Sequence, residues 1–102
     1  MRVIVHPRVH QQHPEILDQD VIEAWENYWR MRPRLSVDPT RYEAVGFDPK
    51  GRLLEMVAVV ERRRDGEVYR VFHALEARPV FLEQMGCTPE EISELGGTRH
   101  DH

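Results

Sequence analysis

The sequence predicts an α+β fold: a three-stranded antiparallel sheet, four-stranded if the N-terminal residues join it, with an N-terminal helix packed on one face and a short C-terminal helix. Three observations carry this. Segments near 41–47, 52–62 and 67–75 are rich in β-branched, aromatic and aliphatic residues and are joined by two turn signatures. An apolar stripe at helical spacing follows Asp18. A complete helix-start signal stands at Thr88-Pro89-Glu90-Glu91. With 102 residues the chain is expected to make one domain over 1–97, followed by a frayed tail at 98–102.

In chain order, Met1–Val5 has the composition of a short strand. Pro7 and Pro14 hold His6 and His13 in extended geometry. One helical turn from Pro7 to Gln12 is allowed, with proline at its first position. Asp18 is a good N-cap for the next helix, Asp20 suits its first turn, and Leu17 with Ile22 has the spacing of a hydrophobic staple. Val21, Ile22, Trp25, Tyr28 and Trp29 step by three or four, so this helix is expected to fade only at Arg30–Arg32, before Pro33. Residues 33–40 are a loop with two prolines.

Arg41–Phe47 opens a meander. Asp48-Pro49-Lys50-Gly51 is a type I turn signature. Leu53–Arg62 is apolar at both parities, the mark of a strand buried on both faces. Asp65-Gly66 makes the second turn. In the third strand, alternation puts Tyr69, Val71, His73 and Leu75 on one face and Val68, Arg70, Phe72 and Ala74 on the other. Pro79–Met85 reads as a short helix or turn. The last helix carries Ile92 and Leu95 and is expected to stop at Gly96-Gly97.

Composition narrows the functions. The longest uninterrupted apolar run, Met56–Val60, is far short of the roughly 20 residues of a membrane span. The N-terminus has no hydrophobic region suited to a signal peptide, and a single cysteine, Cys87, points to a reducing compartment and a cytoplasmic protein. Residues 1–75 balance twelve basic against twelve acidic residues, whereas 76–102 hold two basic and six acidic, which accounts for the net charge of −4. An anion would therefore be met by the body and not by the C-terminal segment. Thirteen of the fourteen basic residues are arginine, whose planar fork suits phosphate and carboxylate.

Gly96-Gly97 follows a helix instead of opening one, so no phosphate loop is present. Ser36 and Ser93 lack a base pattern. His6, His10 and His13 have a spacing that could hold a metal with His73, but the flanking prolines break the geometry and the cluster has no acidic or cysteine ligand, so neither metal nor other cofactor is assigned. His73 stands out as a titratable imidazole near the end of an apolar strand. RNA carries its own nucleophile, and cleaving it without metal needs a base, an acid and a cation. Histidine and arginine supply all three types.

The run Arg41-Tyr42-Glu43-Ala44-Val45-Gly46, the turn Asp48-Pro49-Lys50-Gly51-Arg52, the apolar strand after it and the strand ending Phe72-His73-Ala74 resemble the BrnT-type toxins of the RelE ribonuclease superfamily. His13-Pro14-Glu15 before a helix is similar to that family's N-terminal element, so the resemblance spans roughly 6–85. It implies a RelE-like fold and the toxin of a type II toxin–antitoxin pair. Such a toxin is a metal-independent endoribonuclease acting on mRNA and neutralised by a cognate antitoxin. His73 would then be acid or base, Arg41 the phosphate anchor, and His13 or His6 the second proton carrier. Arg8, Arg78 and Tyr69 would contact the RNA. The chain departs from the family where His73 and Leu75 replace a serine and an arginine, where Gln12 replaces a lysine, and in its acidic C-terminal segment. These departures support an alternative: a non-catalytic interaction module on the same fold.

Overall fold

Residues 2–34 and 40–100 are described by a computed structural model, the last five as backbone alone. The chain runs β1 (Arg2–Val5), α1 (Pro7–Gln12), α2 (Asp18–Glu26), β2 (Tyr28–Pro33), β3 (Arg41–Phe47), β4 (Leu53–Arg63), β5 (Gly66–Glu76), α3 (Pro79–Gln84) and α4 (Pro89–His100). The α+β class and the β3–β4–β5 meander agree with the sequence. The sheet itself is larger than expected. It has five strands in the order β1-β5-β4-β3-β2, and it is mixed: β1 lies parallel to β5, while the other pairs are antiparallel. The extra strands cover both edges of the meander, which would otherwise present unpaired backbone groups.

The early end of α2 supplies one of these strands. The helix begins one residue earlier than a cap at Asp18 implies: Leu17 is the N-cap, Asp18 the first helical residue, and the Asp20 carboxylate accepts the Leu17 N–H at 3.0 Å. It ends at Glu26 and not near Arg30. The Asn27 backbone N–H and side-chain amide both donate to the Glu23 carbonyl, each at 3.0 Å, and close the last turn. Tyr28–Pro33 then pairs with β3. Tyr28 and Trp29 do continue the helical spacing from Trp25, but they are 47% and 42% exposed, while Trp25 is fully buried. Their aromatic β preference and the open edge of β3 outweigh the periodicity. Gly46 makes the approach of α2 feasible: a Cβ there would lie 2.1 Å from the Ala24 carbonyl oxygen.

α1 and α2 cover one face of the sheet. Val9, Ile16, Val21, Ala24 and Trp25 pack there on Ala44, Leu54, Met56, Ala58, Val71 and Ala74. The other face has a smaller core of Val45, Leu53 and Val57 under Phe81, Leu82, Met85 and Cys87, with Ile92 and Leu95 of α4 against it. The capping box forms as predicted: Glu91 N–H donates to Thr88 Oγ1 at 3.2 Å and Thr88 N–H to Glu91 Oε1 at 2.8 Å. Arg30 Nη2 also reaches Glu91, at 3.3 Å, and ties α4 to β2. This helix does not stop at Gly96-Gly97 but continues to His100, so 98–100 extend it. Each interior glycine costs about 1 kcal/mol in helix propensity, which here does not redirect the backbone. The expected loop over 33–40 falls largely outside the described residues. Among the described residues no helix is long and apolar enough to cross a membrane.

Candidate functional site

A β-bulge decides which face carries the chemistry. Val57 lies opposite His73 but Ala58 lies opposite Val71, so Phe72 is the extra residue in β5. Strict alternation would leave His73 with Tyr69 and Val71. Instead, Val71, Ala74 and Tyr69 belong to the core under α1 and α2, while Phe72 and His73 both line a pocket on the other face. This corrects the expected face of His73. Tyr69 packs with its ring centroid 5.5 Å from Trp25 and 6.1 Å from Tyr42, across the sheet from His73.

On the His73 face, the pairing register aligns Arg32, Glu43, Val57 and His73 across β2, β3, β4 and β5. Glu43 is buried; it accepts from Arg32 Nε at 3.3 Å and pairs with Arg34 Nε at 3.4 Å. On β4, Glu55 is fully buried. Its Oε2 lies 2.9 Å from His73 Nε2 and accepts from Arg78 Nη2 at 2.8 Å; its Oε1 accepts from the Arg78 backbone N–H at 2.9 Å and from Arg78 Nε at 3.0 Å. A charge removed from water persists only when it is paired and hydrogen-bonded. Burial works to raise the Glu55 carboxyl, but the bonds from His73 and Arg78 outweigh it and hold the group down at about 2. The same pairing raises Arg78.

This fixes the tautomer of His73. An ionised carboxylate only accepts, so Nε2 carries the proton and, in the neutral ring, Nδ1 holds the lone pair. The ring is stacked on Phe81 of α3, centroids 6.4 Å apart and 26° between planes. It lines a pocket of about 220 Å³ together with Arg34, Glu43, Phe72, Arg78 and Phe81.

Phe72 also borders a second pocket, of about 270 Å³, lined by His6, Arg8, Arg41, Val59 and Arg70. The parallel β1–β5 pairing delivers His6 there: its backbone N–H donates to the Val71 carbonyl at 2.8 Å. His6 is the N-cap of α1, and its Nδ1 accepts the Arg8 backbone N–H at 3.0 Å. The logic runs opposite to that of His73. A backbone N–H only donates, so Nδ1 holds the lone pair and Nε2 carries the proton. His6 is thus a fixed hydrogen-bond donor through Nε2. Protonating Nδ1 would break the cap, which does not suit the proton-carrier role expected for it. The Arg41 Cζ lies 5.2 Å from the Phe72 ring centroid, and Arg70 Nη2 lies 2.9 Å from Glu61 Oε1.

Of the residues singled out from the sequence, His73 and Arg78 meet on one side of Phe72, and His6, Arg8 and Arg41 on the other. His13 caps the far end of α1, with Nδ1 3.7 Å from Glu15 Oε2, and lines neither pocket. Glu55, Glu43, Phe72, Arg34 and Arg70 were not anticipated. Glu55 left a readable signal, a lone carboxylate inside an otherwise apolar strand, because such a residue must bring its own partners. Among the described residues, no group of three or more His, Cys, Asp or Glu side chains could hold a metal ion. No protein-family model, curated protein or solved structure matches this chain.

Proposed function

We propose that this protein is a metal-independent endoribonuclease of the toxin type its sequence resembles, acting on mRNA in the cytoplasm and held inactive by a cognate antitoxin over the Phe72–His73 face. The observation that carries the reading is the Glu55–His73 couple. The buried carboxylate orients the imidazole, and Nδ1 is left to take a proton beside arginines. His73 Nδ1 accepts the 2′-OH proton of the RNA. The 2′ oxygen bonds to phosphorus, the bond to the 5′ oxygen breaks, and that oxygen leaves with a proton from solvent. Arg34 with Arg78 offsets the charge that builds on the phosphate, and Arg41 anchors the RNA backbone from the other side of Phe72. One positioned base accounts for about 10²- to 10⁴-fold in rate. The test is incubation of purified protein with total RNA. Wild type cleaves, and His73→Ala loses about 10²-fold or more. Equal cleavage by both proteins, or none by either, would overturn the assignment.

A second reading, a non-catalytic interaction module, draws on one specific observation. Arg78 commits three donors to Glu55 and thereby ties the start of α3 to the sheet, so this network also serves as architecture. That reading predicts tight partner binding with no growth inhibition on expression. Toxicity abolished by His73→Ala would exclude it.

A further inference from the structure

The two pockets that share Phe72 differ in what they offer a ligand. The His73 pocket is lined by an imidazole and the buried Glu43 carboxylate as well as by Arg34 and Arg78. The other offers only donors and cations, His6 Nε2–H, Arg8, Arg41 and Arg70, beside an aromatic ring. His6 and Arg8 are exposed and Arg70 and Phe72 half-buried, so these donors reach solvent, while the Nε of half-buried Arg41 is itself buried. Arginine forks and a fixed N–H suit phosphate oxygens. Nucleic-acid bases stack both on aromatic rings and on guanidinium planes. Phe72, with the Arg41 guanidinium 5.2 Å from its centroid, presents both kinds of surface in one place. A carboxylate ligand would satisfy the cations but leave that stack unused.

We propose that the pocket of His6, Arg8, Arg41 and Arg70 is a subsite for the phosphate next to the one at His73, and that Phe72 is the platform on which the base between them stacks. The proposal rests on the ribonuclease reading for its ligand class, single-stranded nucleic acid. The bulge at Phe72 has a purpose in this arrangement: it sets the stacking ring and the base-bearing imidazole side by side on one face, where regular alternation would separate them.

The test uses a fluorescein-labelled DNA hexamer, which lacks the 2′-OH and is not cut, titrated with the whole protein over a series of salt concentrations. Arg8→Ala and Arg70→Ala are each expected to weaken binding about 5- to 10-fold at low salt and to make the salt slope shallower by about 0.7, as the loss of one single-strand phosphate contact does. Phe72→Leu keeps an apolar side chain of similar size. It is expected to weaken binding about 5- to 100-fold while leaving the slope unchanged, and Phe72→Tyr to restore it. Affinity and slope unchanged in all these variants, or polyglutamate of equal charge binding as tightly as the hexamer, would overturn the subsite. The catalytic reading fails separately. Loss of the expected RNA cleavage with this binding pattern intact removes the role of His73 and leaves the subsite standing. Flat binding across the variants removes the subsite whatever the cleavage assay gives.

Discussion

Beneath α1 and α2 the centre of the sheet is closed by aliphatic residues and Trp25, and the one buried carboxylate of α2, Asp20, sits at the helix start with Lys50 and Arg52. On the opposite face, Glu43 and Glu55 are buried between strands, arginines surround them, and α3 and α4 pack against only part of the surface. The first arrangement is what stability alone would select, because burying apolar area is favourable without geometric conditions. The second is not. Replacing a buried ion pair by well-packed apolar residues is often neutral or stabilising, so Glu55 with Arg78 and His73 is weak evidence for stability and better evidence for positioning. The two faces therefore answer to different demands, and substitutions should separate them.

The largest effect belongs to the apolar face. Trp25→Ala empties the centre of that core and is expected to cost about 3–5 kcal/mol, measured by urea unfolding. Trp25→Phe should cost far less. The indole Nε1 has no hydrogen-bond partner among the described residues, so losing it removes a buried unsatisfied donor and offsets part of the lost volume. Neither change should alter cleavage or oligonucleotide binding per folded molecule. A Trp25 variant that stayed folded but lost hexamer binding would show that the faces are coupled.

Glu55→Ala comes next, at about 3 kcal/mol, near the lower end for a broken buried pair. His73 and Arg78 both keep some contact with solvent, with side-chain exposures of 32% and 54%, so neither is left as a fully buried charge. Unlike the Trp25 variants, this one is expected to lose cleavage as well, because His73 loses the partner that fixes its tautomer. Unfolding and RNA cleavage measured on the same preparation separate the two effects.

These two predictions also mark what could be read from the sequence. The meander was legible because strand composition and two turn signatures agree over 41–75, and the start of α4 was legible because a capping box is a local chemical motif. The features that remained hidden are non-local. Nothing within Arg2–Val5 says that it will pair in parallel with a strand more than sixty residues away. Tyr28 and Trp29 fit a helix by spacing and a strand by type, and only the open edge of β3 decides between them. The bulge at Phe72 is a matter of pairing register, which reverses the face of every residue beyond it up to its end and cannot be seen in one strand's sequence. For the same reason the sequence marks His73 as a titratable group on an apolar strand but not its neighbours. Glu55 is masked by the apolar residues on both sides of it, which set the character of its strand.

Acid sharpens the contrast further. Glu55 is held at about 2 in the folded protein against an ordinary value of 4.5. Its folded value is depressed, so its contribution is complete above about pH 4.5 and is lost as the pH falls toward 2. By linkage the shift corresponds to a loss on the order of 3 kcal/mol across that window. The stability difference between wild type and Glu55→Ala should therefore shrink as the pH is lowered from 5 to 2.5, measured by thermal unfolding at each pH. A difference that stayed constant would mean that Glu55 is not ionised in the folded protein. No carboxylate belongs to the core around Trp25, so the cost of Trp25→Ala should hold across the same range.

The smallest stability effect is expected at His6, where structural and binding roles meet on one exposed ring. As the N-cap of α1 it satisfies the Arg8 N–H, and a lost cap costs about 1 kcal/mol. His6→Ala should show that cost and also lose the Nε2–H donor of the second pocket. His6→Asp distinguishes the two roles. A carboxylate is among the best N-caps and suits the positive end of a helix, so stability should remain within a few tenths of a kcal/mol of wild type. The same carboxylate places negative charge among Arg8, Arg41 and Arg70, and hexamer affinity should fall several-fold. If His6→Asp bound the hexamer as wild type does, His6 would belong to the scaffold of α1 alone. If it bound weakly while unfolding like wild type, stability and binding on this face would be separable at a single residue.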